Sequence, residues 1–265
     1  MTSNIVIPIG EIVYWALKNF NITSFMRTGN PTLSEKTFQD LDRTATSSEG
    51  AMTVSGTVNK TGMLFLILLL GASISWYQPS QVLIWGGAIG GFIVALVTIF
   101  KKEWSPFTAP LYAGLEGLFL GGISVMYEAA YSGIVYNAIL LTLGVFAAML
   151  FAYRSGFIEV TQKFRTGVVA ATGGIFLVYM ASFVLSFFGI NISLIHGSGL
   201  MGIGFSLIIV GVAALNLALD FDMIKKGAQA KAPKYFEWYT SFGLMITLIW
   251  LYIEILRLLA KLQRR

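Results

Sequence analysis

The sequence contains no cysteine, only one histidine and few charged residues. The lack of cysteine excludes disulfides, thiolate metal sites and thiol nucleophiles. Zinc or Ser–His catalysis needs more partners than the lone His196 offers, and neither a G-x-S-x-G elbow nor a phosphate-binding glycine loop occurs. We therefore expect a protein that is not an enzyme and that has no cofactor.

Charged residues make up 12% of the 265 residues, about half of the ~25% found in soluble domains. The hydrophobic residues, 56% of the chain, fall in blocks close to the ~20 residues that span a bilayer as a helix. This pattern predicts an all-α, polytopic membrane protein with a seven-helix transmembrane domain at residues 61–265. Residues 1–60 are predicted to form a partly disordered cytoplasmic segment. The predicted spans are 61–77, 81–100, 107–127, 134–153, 167–188, 199–219 and 242–262.

The positive charges alternate between the connections and predict the orientation. Every second connection carries Lys or Arg, and the others carry neither; the basic residues are Lys101, Lys102, Arg154, Lys163, Arg165, Lys225, Lys226, Lys231 and Lys234. By the positive-inside rule the basic connections and the N-terminus are cytoplasmic. Their placement between apolar blocks does not indicate nucleic acid binding despite the net charge of +5. The basic C-terminal tail conflicts with an outer C-terminus, which leaves a re-entrant last segment as an alternative.

Residues 5–20 are apolar but are interrupted by Pro8, Glu11 and Lys18, and they are too short to span a membrane. We interpret them as an upstream extension, with Met26 as the natural start. An interfacial helix is the alternative.

Small residues recur at four-residue spacing inside several predicted spans. Such spacing lets helix backbones approach closely in lipid and predicts a compact bundle. The clearest cases are Gly86-x-x-x-Gly90, Gly87-x-x-x-Gly91 and Gly117-x-x-x-Gly121.

Carboxylates in or beside the apolar blocks are the candidate functional residues, because an ionisable group in hydrocarbon costs about 2.5–3.5 kcal/mol on insertion scales. Glu116 lies in the third predicted span, Asp220 at the cytoplasmic end of the sixth, and Glu254 past the middle of the seventh. Asp222 is two residues beyond Asp220 and so points elsewhere, nearer water.

Two polar neighbours are candidate supports for these acids. Arg257 lies one turn after Glu254, so that it either screens this acid or extends to the outer interface. Asn216 lies one turn before Asp220 and is predicted to share its hydrogen bonds. A buried carboxyl without a cation takes up a proton or faces water, and either makes it a candidate proton or cation site.

Three stretches of the sequence resemble the Bax inhibitor family, in its bacterial branch. The first is Met26-Arg27-Thr28-Gly29-Asn30-Pro31 with Lys36-Thr37-Phe38. The second runs from Tyr112 to Gly121, as YAGLEGLFLG. The third combines LDFDMI at 219–224 with LYIEIL at 251–256.

The resemblance implies seven helices with the last one central, and a pH-sensitive calcium leak. It also implies that an aspartate late in the sixth helix pairs with one in the seventh, in an L-Y-x-D setting. These positions match Asp220 and Glu254, although the second acid here is the longer Glu. Counting from the predicted helix ends places Asp220 ~6 Å and Glu254 ~18 Å from the cytoplasmic face. Glu116 lies at a depth closer to that of Glu254, so a Glu116–Glu254 relation is a rival hypothesis.

The predicted function is therefore a calcium leak of the cytoplasmic (inner) membrane, with Ca²⁺ as the permeant ion and the lipid bilayer as the partner. Carboxylates suit calcium, which takes oxygen ligands. A non-conducting protein that regulates partner membrane proteins or proteases is the alternative. A proton-coupled transporter is a third reading, and the sequence shows no clear inverted repeat to support it.

Overall fold

The computed structural model describes residues 50–189, 195 and 197–264 and contains seven long helices. Each of the seven is long and apolar enough to cross a membrane, which confirms the predicted fold class. In chain order they are α1 (Val54–Tyr77), α2 (Gln81–Phe100), α3 (Ser105–Ala130), α4 (Ile134–Arg154), α5 (Gln162–Ser186), α6 (Leu200–Gln229) and α7 (Phe236–Gln263). The predictions on residues 1–25, the start at Met26 and His196 lie outside the described residues.

Several helices extend beyond the apolar blocks that predicted them. The helix α1 begins at Val54 rather than at residue 61, because the Thr53 side chain caps it by accepting a hydrogen bond from the Gly56 N–H. Likewise, α6 continues to Gln229 and α7 begins at Phe236. Hydropathy marks only the part of a helix that suits lipid, whereas backbone hydrogen bonding continues into the polar flanks. Asp220 consequently lies nine residues before the end of its helix.

The last helix is the centre of the bundle, as predicted. It packs against α1, α3, α4 and α6, and its Phe236, Tyr239 and Phe242 side chains are fully buried. The remaining two helices are peripheral, with α2 packed on α3 and α5 packed on α6. This arrangement leaves α5 at the edge of the bundle. Its polar side chains nevertheless contact α6 and α7.

The α7 helix is continuous and runs antiparallel to α6. Its Lys261, near the C-terminal end, donates hydrogen bonds to Gly202 O (3.0 Å) and Ser206 Oγ (2.8 Å) at the start of α6. At 28 residues the helix is ~42 Å long, so it crosses the whole bundle. This arrangement differs from the re-entrant alternative, and Lys261 is tied to α6 rather than being part of a free basic tail.

Tight glycine seams hold α3 between α1 and α2. A Cβ atom on Gly71 of α1 would lie 2.5 Å from Gly114 O of α3, and one on Gly87 of α2 would lie 2.5 Å from Leu115 O. Such close backbone approach provides the van der Waals contact that drives helix association in lipid. The predicted small-residue packing is therefore present at these seams.

The contact between the first and last helices predicts which end of the bundle is cytoplasmic. The N-terminus of α1 contacts that of α7 through Ser241 Oγ, which donates to Thr57 O (2.9 Å), so both helices start at the end of the bundle that carries the basic connections. We expect a reporter fused after Lys234 to be cytoplasmic and one fused after Gly189 to be external. A reporter at the C-terminus should also be external, and a cytoplasmic signal after Gly189 would contradict the orientation.

Candidate functional site

The α5 helix presents a polar side chain to α6 and α7 once every seven residues. Arg165, Thr172 and Tyr179 form this stripe, and each contacts a polar group on the facing helices. Seven residues make nearly two helical turns, so the three side chains lie on one face. Most other large α5 side chains beyond Val169, such as Phe176, Leu177 and Phe183, are exposed to the lipid region.

Asp222 binds two cations at the basic end of this interface. Arg165 Nη2 and Lys226 Nζ each lie 2.8 Å from Asp222 Oδ2. Arg165 is only 2% exposed, which the sequence did not indicate, since we interpreted it as a loop cation. The first turn of α5 carries it into the bundle, where it pairs with Asp222. Asp222 is 9% exposed and Asp220 is 1% exposed, so Asp222 is the acid nearer water.

Asn216 lies further along the same interface, where it faces α5. Its Nδ2 donates to Thr172 Oγ1 and to Val212 O, both at 2.9 Å. These bonds use both amide hydrogens, and the predicted sharing of hydrogen bonds with Asp220 stays a prediction. The polar stripe on α5 thus supplies one hydrogen-bond partner of Asn216.

Glu254 is buried and is held by two side chains. Its Oε1 accepts hydrogen bonds from Tyr179 Oη (2.8 Å) and Arg257 Nη1 (2.9 Å). Arg257 Nη1 also donates to the Tyr179 hydroxyl (2.5 Å), which closes a three-membered network between α5 and α7. Of the two alternatives for Arg257, the structure shows the one in which it screens Glu254.

Asp220 is 1% exposed and lies at a different level from Glu254. Gln229 and Phe236 bound the short α6–α7 connection, and Lys261 contacts Gly202 and Ser206 at the other end. This register places Asp220 beside Met245, nine residues before Glu254, which is ~14 Å along the bundle axis. Two acidic side chains do not bridge that distance, so the structure does not bring together the pair that the resemblance implies.

Glu116 belongs to a third location, between α3 and α2. A Cβ atom on Gly91 of α2 would lie 2.8 Å from its Oε1. The helices α3 and α7 run parallel, because Tyr112 packs on Phe242 (ring centroids 4.9 Å apart) and Ser124 bonds Tyr252 (2.7 Å). Glu116 is therefore level with Ile246, ~12 Å from the level of Glu254 and near the level of Asp220. Its advantage in depth over Asp220 is small because α7 begins earlier than its apolar block.

Together these groups form a polar column, which we define as Arg165, Asp222, Asp220, Asn216, Thr172, Tyr179, Glu254, Arg257 and Lys261. In the α6–α7 register it extends from the level of Gly243 to Lys261, or ~27 Å. That length is close to the ~30 Å hydrocarbon thickness of a bilayer. Buried ionisable groups on this scale are costly in lipid and are typical of substrate and ion pathways.

A family described as Bax inhibitor 1 like matches residues 30–264. The chain belongs to this family. No curated protein matches it closely enough to add a second comparison. The match covers all seven helices, so the Bax inhibitor 1-like fold and the polar column occupy the same part of the chain.

Proposed function

We propose that this Bax inhibitor 1-like protein is a pH-sensitive leak pathway for cations, calcium in particular, in the cytoplasmic membrane. The observation that supports it is the polar column, which places acids at two levels of the α5–α6–α7 interface. Carboxylates and hydroxyls are oxygen ligands of the kind that calcium takes. The multi-pass arrangement embeds this column in the bilayer.

The moving element in this proposal is α5. Its apolar packing is concentrated at Val168 and Val169 against Leu219, and further along it reaches α7 through Tyr179. In lipid, hydrogen bonds between helices contribute to association because apolar side chains gain little by leaving the hydrocarbon. Loss of the polar contacts would therefore allow α5 to separate from α6 and α7 and open the column.

The arginines beside the acids set the sign of the pH dependence. Without them, two ionised acids would repel and ionisation would open the pathway. Here Arg165 on α5 pairs with Asp222 on α6. Glu254 on α7 accepts a hydrogen bond from Tyr179 on α5, and Arg257 of the same helix compensates its charge. The ionised acids therefore hold α5 to α6 and α7. Protonation of a carboxylate removes its ion pair, and this closed-state stability is lost as the pH falls. We expect calcium flux to rise on acidification.

Calcium flux into liposomes that contain a calcium-sensitive dye tests the proposal between pH 8 and pH 4, a range that extends to the ~4 at which carboxylates ordinarily take up a proton. Glu254→Gln and Asp222→Asn mimic protonation, so each should raise flux at pH 8 by about tenfold, the effect of losing ~1.4 kcal/mol of closed-state stability. Each should also flatten the pH profile. Asp220→Asn should flatten it if this acid titrates within the column.

Glu116→Gln is the matched control, because it neutralises a carboxyl that faces α2 instead of the column. Its pH profile should follow that of the unmodified protein. A profile flattened by Glu116→Gln alone would move the pathway to α3. Purified protein that passes no calcium at any pH would instead favour the non-conducting regulator of partner membrane proteins.

A further inference from the structure

A long apolar groove separates α1 from α4, and among the described residues none of α5 lines it. Its volume is about 1110 Å³, above the usual 300–1,000 Å³ of small-molecule pockets. The walls come from α1 and α4, and the floor comes from α3, α6 and α7. It follows α1 from Val54 to Tyr77, a length of ~35 Å that matches the bilayer thickness.

The walls carry large side chains that face the lipid region. Val58 and Leu69 on α1 are 63% and 42% exposed, and Leu143 on α4 is 46% exposed. Closely packed helix pairs in membranes instead meet through small residues, as α1 does with α3 at Gly71. The groove is therefore shaped for flexible chains rather than for a closely packed partner helix.

Charge is present at one end of the groove only. Arg154, the last residue of α4, and Lys225, near the end of α6, both line it, and no lining residue is acidic. Both side chains are exposed, and within the described part of the chain neither forms a salt bridge; the nearby Asp222 pairs with Arg165 and Lys226. These two cations lie at the same end as the start of α1, whereas Trp76 and Tyr77 lie at the other end.

From this combination we propose that the groove binds a phospholipid with an anionic headgroup from the leaflet on the basic side. Arg154 and Lys225 contact the headgroup phosphate, and the acyl chains lie along Val58, Gly62 and Leu150. Basic side chains at an anionic membrane surface contribute about 1 kcal/mol each. Lipid binding in this groove does not depend on the calcium pathway.

Lipid titration of the purified full chain in neutral detergent tests the headgroup preference. Native mass spectrometry would measure binding of phosphatidylglycerol and of phosphatidylcholine with the same acyl chains. We expect tighter binding of phosphatidylglycerol. Arg154→Gln and Lys225→Gln should each weaken it about fivefold, the factor that corresponds to ~1 kcal/mol. The control Lys101→Gln/Lys163→Gln removes two exposed charges from the same end but outside the groove, and it should leave the affinity unchanged.

A second pair of variants tests whether the acyl chains occupy the groove. A Cβ on Gly62 meets no atom within 4 Å, so Gly62→Leu should fold while filling the acyl region, and it should weaken binding of either lipid. Gly86→Leu on α2 makes the same change at another open, lipid-facing position and should have no effect. Equal affinity for the two lipids, an unchanged affinity in Gly62→Leu, or competition by inorganic phosphate alone would overturn the proposal.

Discussion

Replacing Gly121 with leucine is expected to prevent the bundle from folding. A Cβ at this position would overlap the Ala72 carbonyl oxygen and lie 2.7 Å from Ala72 Cα. These are backbone atoms of α1, so no side-chain rotation relieves the contact. The cost should exceed the ~1–3 kcal/mol typical of extra methylenes in a well-packed core, because α1 and α3 would have to separate along their seam.

The measurement is the yield of monodisperse protein by size-exclusion chromatography in detergent, followed by thermal unfolding. Gly86→Leu is the matched control, since it makes the same chemical change where a Cβ meets nothing within 4 Å. We expect near-normal yield for the control and little or no monodisperse protein for Gly121→Leu. Equal yields and melting temperatures would show that α1 and α3 do not approach as closely as described.

This pair of glycines shows how far the sequence predicts the packing. The four-residue spacing correctly indicated close helix contacts, and Gly87, Gly91, Gly117 and Gly121 all lie in them. It did not distinguish these from Gly86, which has open space around it. Spacing defines a face of one helix, whereas the partner that covers the face depends on the tertiary arrangement.

The acids were predictable, but their partners were not. A carboxylate in an apolar block stands out in the sequence because burial is costly, and Asp220 and Glu254 are indeed buried at 1% and 2% exposure. Arg165 and Tyr179 are 57 and 75 residues away from their partners Asp222 and Glu254. The seven-residue recurrence of Arg165, Thr172 and Tyr179 was the available signal. It indicates a polar face on α5 but not which helix lies against that face.

Replacing Arg257 with methionine is expected to cause the second large loss of stability, because Arg257 belongs to the network at Glu254. Methionine retains much of the apolar packing of the arginine stem but removes the cation beside a carboxylate that is 2% exposed. Removing one partner of a buried ion pair costs about 3–5 kcal/mol, because the remaining charge is left uncompensated. Since the Arg257 side chain is 32% exposed, we expect a loss near the lower end, about 3 kcal/mol.

The pH dependence separates loss of the ion pair from loss of packing. Ionised Glu254 is destabilised in the variant, whereas protonated Glu254 has no charge to compensate. The melting temperature of Arg257→Met should therefore fall further below that of the unmodified protein at pH 8 than at pH 6. The double variant Glu254→Gln/Arg257→Met removes both charges and should recover most of the stability at pH 8, since a buried ion pair replaced as a unit leaves no lone charge. A loss of stability that is equal at both pH values, or that the double variant retains in full, would mean that Arg257 acts through packing. The network of Tyr179, Glu254 and Arg257 between α5 and α7 would then not depend on the charge of Glu254.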